Sequence, residues 1–280
     1  MSEIAWSPLE SKDYKDFERR IDNAQVRLDE HNINYYIPQP EQPNGSCDFV
    51  AFTDKATMNF QTSRPVKVVY TLDGSEPTPS STVYTEPFDI TETTTLKIRS
   101  VLPSGKMSKT REITVEKQTL APAKEVAKTT PGLSMKVTNG TFLETSQLDG
   151  VKEWKEVPCK QLRDLTTYVK TDEGMRGIQQ YAAVAEGYVN IPADGVYYVS
   201  SELEQVWIDG KLLIDNKGEV KHFARHDKSV ALAQGLHELK VVFLGHHIGG
   251  WASNWNDGSV KLRRADEEKF APVTPEMLCH

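Results

Sequence analysis

The stretch from Gly187 to Asn216, GYVNIPADGVYYVSSELEQVWIDGKLLIDN, leaves this chain little freedom in choosing a fold. It reads as short strands broken by tight turns. Tyr188, Asn190 and Pro192 alternate with Val189 and Ile191, so a strand runs into the turn Ala193-Asp194-Gly195. Asp-Gly is a strong turn dipeptide, because glycine takes positive φ without a Cβ clash. Val196 to Ser200 follows, rich in β-branched and aromatic residues. After Ser201-Glu202 come Val206-Trp207-Ile208, a second Asp-Gly at Asp209-Gly210, and Leu212-Leu213-Ile214. Strands this short, punctuated by Gly and Asp, predict an antiparallel sandwich.

The totals set the limits around that core. A chain of 280 residues has room for about two domains. A net charge of −7 argues against nucleic acid or an anionic membrane as partner, since either favours a basic face. No apolar run reaches the length of a membrane span. Cys47, Cys159 and Cys279 lie far apart and make no metal-ligand spacing. One pair could form a disulfide, and the odd count leaves a free thiol. The opening residues MSEIAWSPLESKDYKDF have neither the basic nor the apolar region of a signal peptide, and read as the middle of a domain.

Residues 7 to 32 are the one long helix expected. Ser7-Pro8-Leu9-Glu10 offers a capping box with proline at the first helical position. Tyr14, Phe17, Ile21, Ala24 and Leu28 then recur at spacings of three and four, an apolar stripe that has to be covered by the first sandwich or by another copy of the chain. A proline-rich exit follows from Pro38 to Gly45. From Cys47 to about Glu116 the period falls to two: Val66, Val68, Tyr70 and Leu72 share one face, then Leu96, Ile98 and Ser100, then Ile113 and Val115. Turns are expected at Asp73-Gly74 and Ser104-Gly105, which together give a small immunoglobulin-like sandwich. Lys117 to Thr130 has no period and reads as a linker. The expected fold is mainly β: two tandem antiparallel β-sandwiches preceded by one long amphipathic helix. The segments are 1–45, 46–116, 117–130 and 131–280.

Three of these segments carry resemblances. The run GYVNIPADGVY, then VWIDGKLLIDN and the later Leu232-to-His237 segment, resembles the protective-antigen-type β-sandwich module appended to many bacterial glycosidases and adhesins. The residues EIAWSP, KDYKDFERRI and RLDEHNINYYIPQP resemble the end of the catalytic barrel in family 20 glycoside hydrolases, the β-N-acetylhexosaminidases. The run VVYTLDGSEPTPSSTVYTEPFDI with TLKIRSVLPSGKMS looks like the chitobiase/hexosaminidase C-terminal domain. Their order implies the non-catalytic C-terminal portion of such an enzyme, extracytoplasmic in its parent. Its partners would then be the catalytic barrel of the same polypeptide and an N-acetylhexosamine-containing glycan. The alternative is a structural or adhesion protein with no enzyme attached, which would have no need of the orphan helix stripe.

The candidate chemistry is sparse. The resemblance implies an adjacent Asp-Glu pair, the Glu as acid and the Asp orienting the substrate's own acetamido nucleophile, one of the exceptions to the usual two-carboxylate scheme. Asp29-Glu30, Asp172-Glu173 and Asp266-Glu267 are the dipeptides present, and none follows the apolar strand and Gly-Gly that the family's pair requires. No catalytic residue is assigned. His222 and His226, and His246-His247, lack the converging carboxylate or thiolate of a metal site, so none is assigned. Related sugar-binding modules hold calcium with consecutive aspartates. Ser201-Glu202 stands there instead, a weaker oxygen set, and no cofactor is expected.

The long aperiodic loop Gly245 to Gly258 remains. Trp251 and Trp255 offer flat apolar faces to a sugar ring, with Asn254 and Asp257 beside them for hydroxyls. The alternative is that one or both indoles fold back to cap the sandwich end or pack on the neighbouring domain, since a Trp is more often buried than displayed. Asp209 and Asn216, on turns, are secondary carbohydrate candidates, although Asp209 could serve its turn alone.

Overall fold

The computed structural model describes residues 8, 10, 12–43, 47–168, 181–216, 228–245, 247–248, 251–252 and 258–280; for 22, 247–248 and 251–252 it describes the backbone only. In order the chain forms α1 (Tyr14–Glu30), β1 (Phe49–Phe52), β2 (Ala56–Met58), β3 (Lys67–Thr71), β4 (Thr82–Val83), β5 (Phe88–Ile90), β6 (Thr94–Val101) and β7 (Arg111–Lys117). Then follow β8 (Leu133–Asn139), β9 (Lys155–Cys159), α2 (Asp164–Thr167), β10 (Tyr181–Ile191), β11 (Gly195–Ser201), β12 (Gln205–Ile208) and β13 (Lys211–Asp215). The last are β14 (Ser229–Leu232), β15 (Gly235–Gly245), β16 (His247–Ile248), β17 (Trp251–Ala252), β18 (Val260–Arg264), β19 (Ala271–Pro272) and β20 (Leu278–Cys279). The expected mainly β fold is what the residues adopt. Two compact units are distinguished: 1–43, 59–88 and 95–112 in one, and 44–58, 89–94 and 113–280 in the other.

In the first unit β3 pairs antiparallel with β4 and with β6, Val69 opposite Val83 and Arg99. Gly74 and Gly105 sit at φ 75° and 85°, so both expected turns form where only glycine is unstrained. The β3 alternation is broken, however. Val68 and Val69 are both buried while Leu72 is 41 % exposed, since this strand is covered on both faces at its middle and ends before Leu72. Leu96, Ile98 and Ser100 are fully buried as expected.

The helix starts later than its sequence suggests. Asp13, not Ser7, is the N-cap: its carboxylate accepts from the Lys15 and Asp16 amides at 2.9 and 3.2 Å. Ser7 and Leu9 lie outside the described residues. The stripe is covered only in part. Phe17, Ile21 and Leu28 are half-buried and Tyr14 is 64 % exposed, along a groove of about 370 Å³ shared with Tyr35, Tyr36, Pro38 and Arg64. The C-terminal half is held instead by polar contacts, Arg64 to Gln25 and Lys106 to Asp29.

The second unit holds the sandwich that Gly187–Asn216 announces. Its long sheet runs β13-β12-β15-β10-β8-β9, with β20 beside β10, and its short sheet runs β14-β11-β18-β19. Strand β10 is the axis, pairing with β15 over eleven residues and with β8 over six. Period two then sorts its side chains. Tyr181, Ala183, Ala185, Val189 and Ile191 face inward, into a core that also takes Val206, Ile208, Val241 and Phe243. Burying a side chain of the Val, Leu, Ile or Phe class stabilises the fold by ~1.5–3 kcal/mol. After β10 the chain turns at Ala193-Asp194 and crosses to the short sheet as β11. The Tyr197 hydroxyl ties this corner by donating to the Ala193 carbonyl at 2.7 Å.

The outer side of β10 is divided. Ala182 and Val184, with Val242 and Leu244 of β15, lie under Phe142, Leu148 and Trp154. Glu186 and Asn190 continue the same face exposed, with Tyr188 half-buried between them. Residues 117–130, expected as a linker, run bonded along the second unit: Ala121 bridges Leu232, and the Lys124 amide donates to the Leu236 carbonyl at 2.7 Å.

Gly187 is where three strands crowd. A Cβ there would stand 2.5 Å from the Cys279 carbonyl oxygen and 2.8 Å from Leu133 Cδ2. Overpacking a well-filled site costs about 1–3 kcal/mol. Gly187→Ala is therefore expected to lower the stability of the second unit by that amount in chemical denaturation, whereas Gly150→Ala, with open space around it, leaves the midpoint unchanged.

Candidate functional site

The hairpin β12–β13 positions two of the carbohydrate candidates, one at each end. At its turn Asp209 and Gly210 both take positive φ, 47° and 73°, the geometry that suits a two-residue hairpin. Both Asp209 carboxylate oxygens are engaged. One accepts the Glu238 amide at 2.9 Å, and the other meets Nδ1 of the fully buried His237 at 2.6 Å. The second ring nitrogen, Nε2, donates to the Ala233 carbonyl at 2.8 Å. Asp209 thus locks the hairpin onto β15. Nothing in its own segment reveals this, because the partner histidine lies 28 residues further on.

Asn216 sits at the other end of the hairpin, five strand residues or roughly 17 Å away, so the structure does not bring the two together. It is buried, and its amide nitrogen donates to the Leu203 carbonyl at 2.5 Å. Ser201 Oγ beside it donates to the Ser259 carbonyl and accepts the Leu203 amide. The buried Glu204 accepts the Leu244 amide at 2.8 Å. This polar cluster forms the end of the sandwich from which the 245–258 loop departs. Trp251 is described by its backbone alone, in β17 paired with Ile248 of β16. Asn254, Trp255 and Asp257 lie outside the described residues, as do His222, His226, His246 and the Asp172-Glu173 pair. Among the described residues no three His, Cys, Asp or Glu side chains converge as a metal set, and no helix is long and apolar enough to cross a membrane.

The two described Asp-Glu pairs serve local structure. The Lys106 ammonium at 2.6 Å and the Tyr35 hydroxyl at 2.9 Å hold the Asp29 carboxyl below its usual range. Arg264 does the same for Asp266, while Glu267 accepts the Arg264 amide at 3.2 Å.

The three cysteines are free thiols. Cys47 and Cys159 are buried, and burial pushes the Cys159 thiol up to about 12. The thiolate is the reacting species, so its supply at neutral pH is negligible in the fold. Labelling with a thiolate-reactive probe at pH 8 is expected to modify at most one thiol per native chain, Cys279, and all three in denaturant. Two or more in the native state would contradict this burial. Asp209→Ala removes the carboxylate partner of His237 Nδ1 and the acceptor of the Glu238 amide. It is expected to cost about 1–3 kcal/mol in chemical denaturation.

Comparison with known proteins fits this architecture. Residues 51–112 match the chitobiase/β-hexosaminidase C-terminal domain, and residues 163–273 match the PA14 domain. The chain is 46 % identical over 278 residues to a β-hexosaminidase of Porphyromonas gingivalis. That match takes in 99 % of this chain and 36 % of the relative. Among solved structures, an anti-sigma factor domain-containing protein aligns over 86 % of this chain and 82 % of its own, with TM-score 0.39 and 13 % identity. The PA14 domain of the antifreeze protein MpAFP aligns over 56 % of this chain and 94 % of its own, with TM-score 0.37 and 13 % identity. The chain therefore matches the chitobiase/β-hexosaminidase C-terminal domain and then the PA14 domain in sequence order, and spans about a third of the length of the β-hexosaminidase it matches.

Proposed function

We propose that this chain is the non-catalytic C-terminal accessory region of a family 20 β-N-acetylhexosaminidase, an extracytoplasmic enzyme that removes terminal N-acetylhexosamine from glycans. The observation that carries the reading is the 46 % identity along the chain to little more than a third of a β-hexosaminidase. In this reading residues 1–45 are the last helix and exit segment of a catalytic barrel, 46–116 and 131–280 are accessory sandwiches, and 117–130 joins them. The half-covered stripe of α1 supports it, since a barrel from the same polypeptide supplies the missing apolar cover. The catalytic carboxylates belong to that barrel, and the accessory sandwiches hold it in place or hold the glycan.

Carbohydrate is assigned to the 245–258 loop, with Trp251 and Trp255 stacking on sugar rings and Asn254 and Asp257 bonding hydroxyls. Asn216, at the end of the sandwich where that loop leaves, is a secondary candidate weakened by its burial and by its bond to the Leu203 carbonyl. Asp209 is the weaker secondary candidate, because both its oxygens already have partners. Two measurements test the reading. The chain alone is expected to leave a chromogenic N-acetylglucosaminide uncleaved. Turnover above the buffer blank that disappears on changing Glu30, Glu173 or Glu267 would overturn the non-catalytic assignment. Titration with N-acetylglucosamine oligomers is expected to quench Trp fluorescence, and the Trp251→Ala, Trp255→Ala double variant to lose that response. Wild-type affinity in the double variant would make the loop a structural cap.

A further inference from the structure

The outer face of the long sheet is closed at one end and open at the other. Phe142, Leu148 and Trp154 cover its upper half, over Val184 and Val242. One row further along, Trp207, Lys240 and Glu186 stand side by side across β12, β15 and β10. In the next row Glu238 faces Tyr188. With the backbone of Gly210 these residues line a groove of about 450 Å³, within the range of small-molecule sites.

We propose that this groove, at Trp207, Tyr188, Glu186, Glu238 and Lys240, is a binding site for a neutral pyranose oligosaccharide. Trp207 supplies the platform. Its indole nitrogen donates to Gln205 Oε1 at 3.2 Å, and the half-buried ring lines the groove, where an indole can meet the C–H face of a sugar. The phenol of Tyr188, on the neighbouring row, adds a second amphipathic surface.

The charges argue for a neutral occupant. Lys240 lies 3.4 Å from Glu186, and Lys124 lies 3.5 Å from Glu238, so the carboxylates and ammonium groups around the groove balance. A polyanion or polycation would meet equal repulsion and attraction there. Hydroxyls suit such a rim, because they donate to carboxylates and accept from ammonium groups without any net charge.

The site is separate from the 245–258 loop, since Lys240 lies five residues, roughly 17 Å, down β15 from Gly245. Its existence does not depend on the assignment of the chain to a hexosaminidase. The two sites also answer to different substitutions.

The test is an amide and indole NMR titration of the whole chain with tetramers of N-acetylglucosamine, of β-1,4-glucose and of α-1,4-glucose. A galacturonic acid tetramer serves as the charged control. Signals of Glu186, Trp207 and Lys240 are expected to move with at least one neutral tetramer. Trp207→Ala is expected to weaken that response about tenfold or more, and Trp207→Phe to restore part of it. Glu238→Ala, at an exposed position that leaves the fold untouched, weakens it about threefold. The Trp251→Ala, Trp255→Ala variant leaves the groove signals responding as in the wild type. The proposal is overturned if these signals ignore every neutral tetramer at millimolar concentration, or respond to the charged tetramer only. An undiminished response in Trp207→Ala overturns it as well, as does loss of the groove response in the Trp251, Trp255 double variant.

Discussion

The ladder between β10 and β15 is the constraint on which the second unit rests. It pairs eleven residues of each strand, and β8, β12 and β20 add to its edges. Because side chains alternate across a strand, this one ladder determines two surfaces at once. Inward it presents Tyr181, Ala183, Val189, Val241 and Phe243 to the core. Outward it presents a buried half under Phe142 and Trp154 and an open half at Glu186 and Lys240. A slip of one residue would exchange the two faces, placing Glu186 and Lys240 in the core. The register is therefore fixed by the cost of burying charge.

Much of this sandwich was legible in the sequence, for a physical reason. Asp-Gly at Asp209-Gly210 and the turn before Gly195 declare themselves because few residues tolerate positive φ, and alternation around Val206 and Ile208 declares which residues share a face. What the sequence concealed was set at a distance. Period two places Trp207 opposite Val206 and Ile208, but it does not say which of those faces is core. The indoles of the 245–258 loop therefore stand out in the sequence, and the one on the sheet does not. The burial of His237, and its hold on Asp209, arises from two strands that meet only in three dimensions. The helix shows the opposite error. Ser7-Pro8-Leu9-Glu10 has the local grammar of a capping box, yet Asp13 caps α1. Ser and Asp are both good N-caps, so the two signals are of similar strength in the sequence.

The contrast between the two units bears on function. In the second unit large apolar side chains of the sheets are buried, and the turns are cross-tied by side chains such as Tyr197 and Asp194. In the first, the α1 stripe stays half-exposed and the helix is held through polar contacts at Gln25 and Asp29. A filled sandwich core in one unit and a half-open helix stripe in the other agree with the accessory role proposed above.

Native-state hydrogen exchange along β10 tests the central role of the β10–β15 ladder most directly. The amides of Ala182 to Val189 that bond β15 or β8 are expected to exchange only through global unfolding of the second unit, with a denaturant dependence equal to that of unfolding itself. Exchange of these amides through a local opening, faster than in β12 and β13 at the sheet edge, would show that β10 is not the axis of the sandwich.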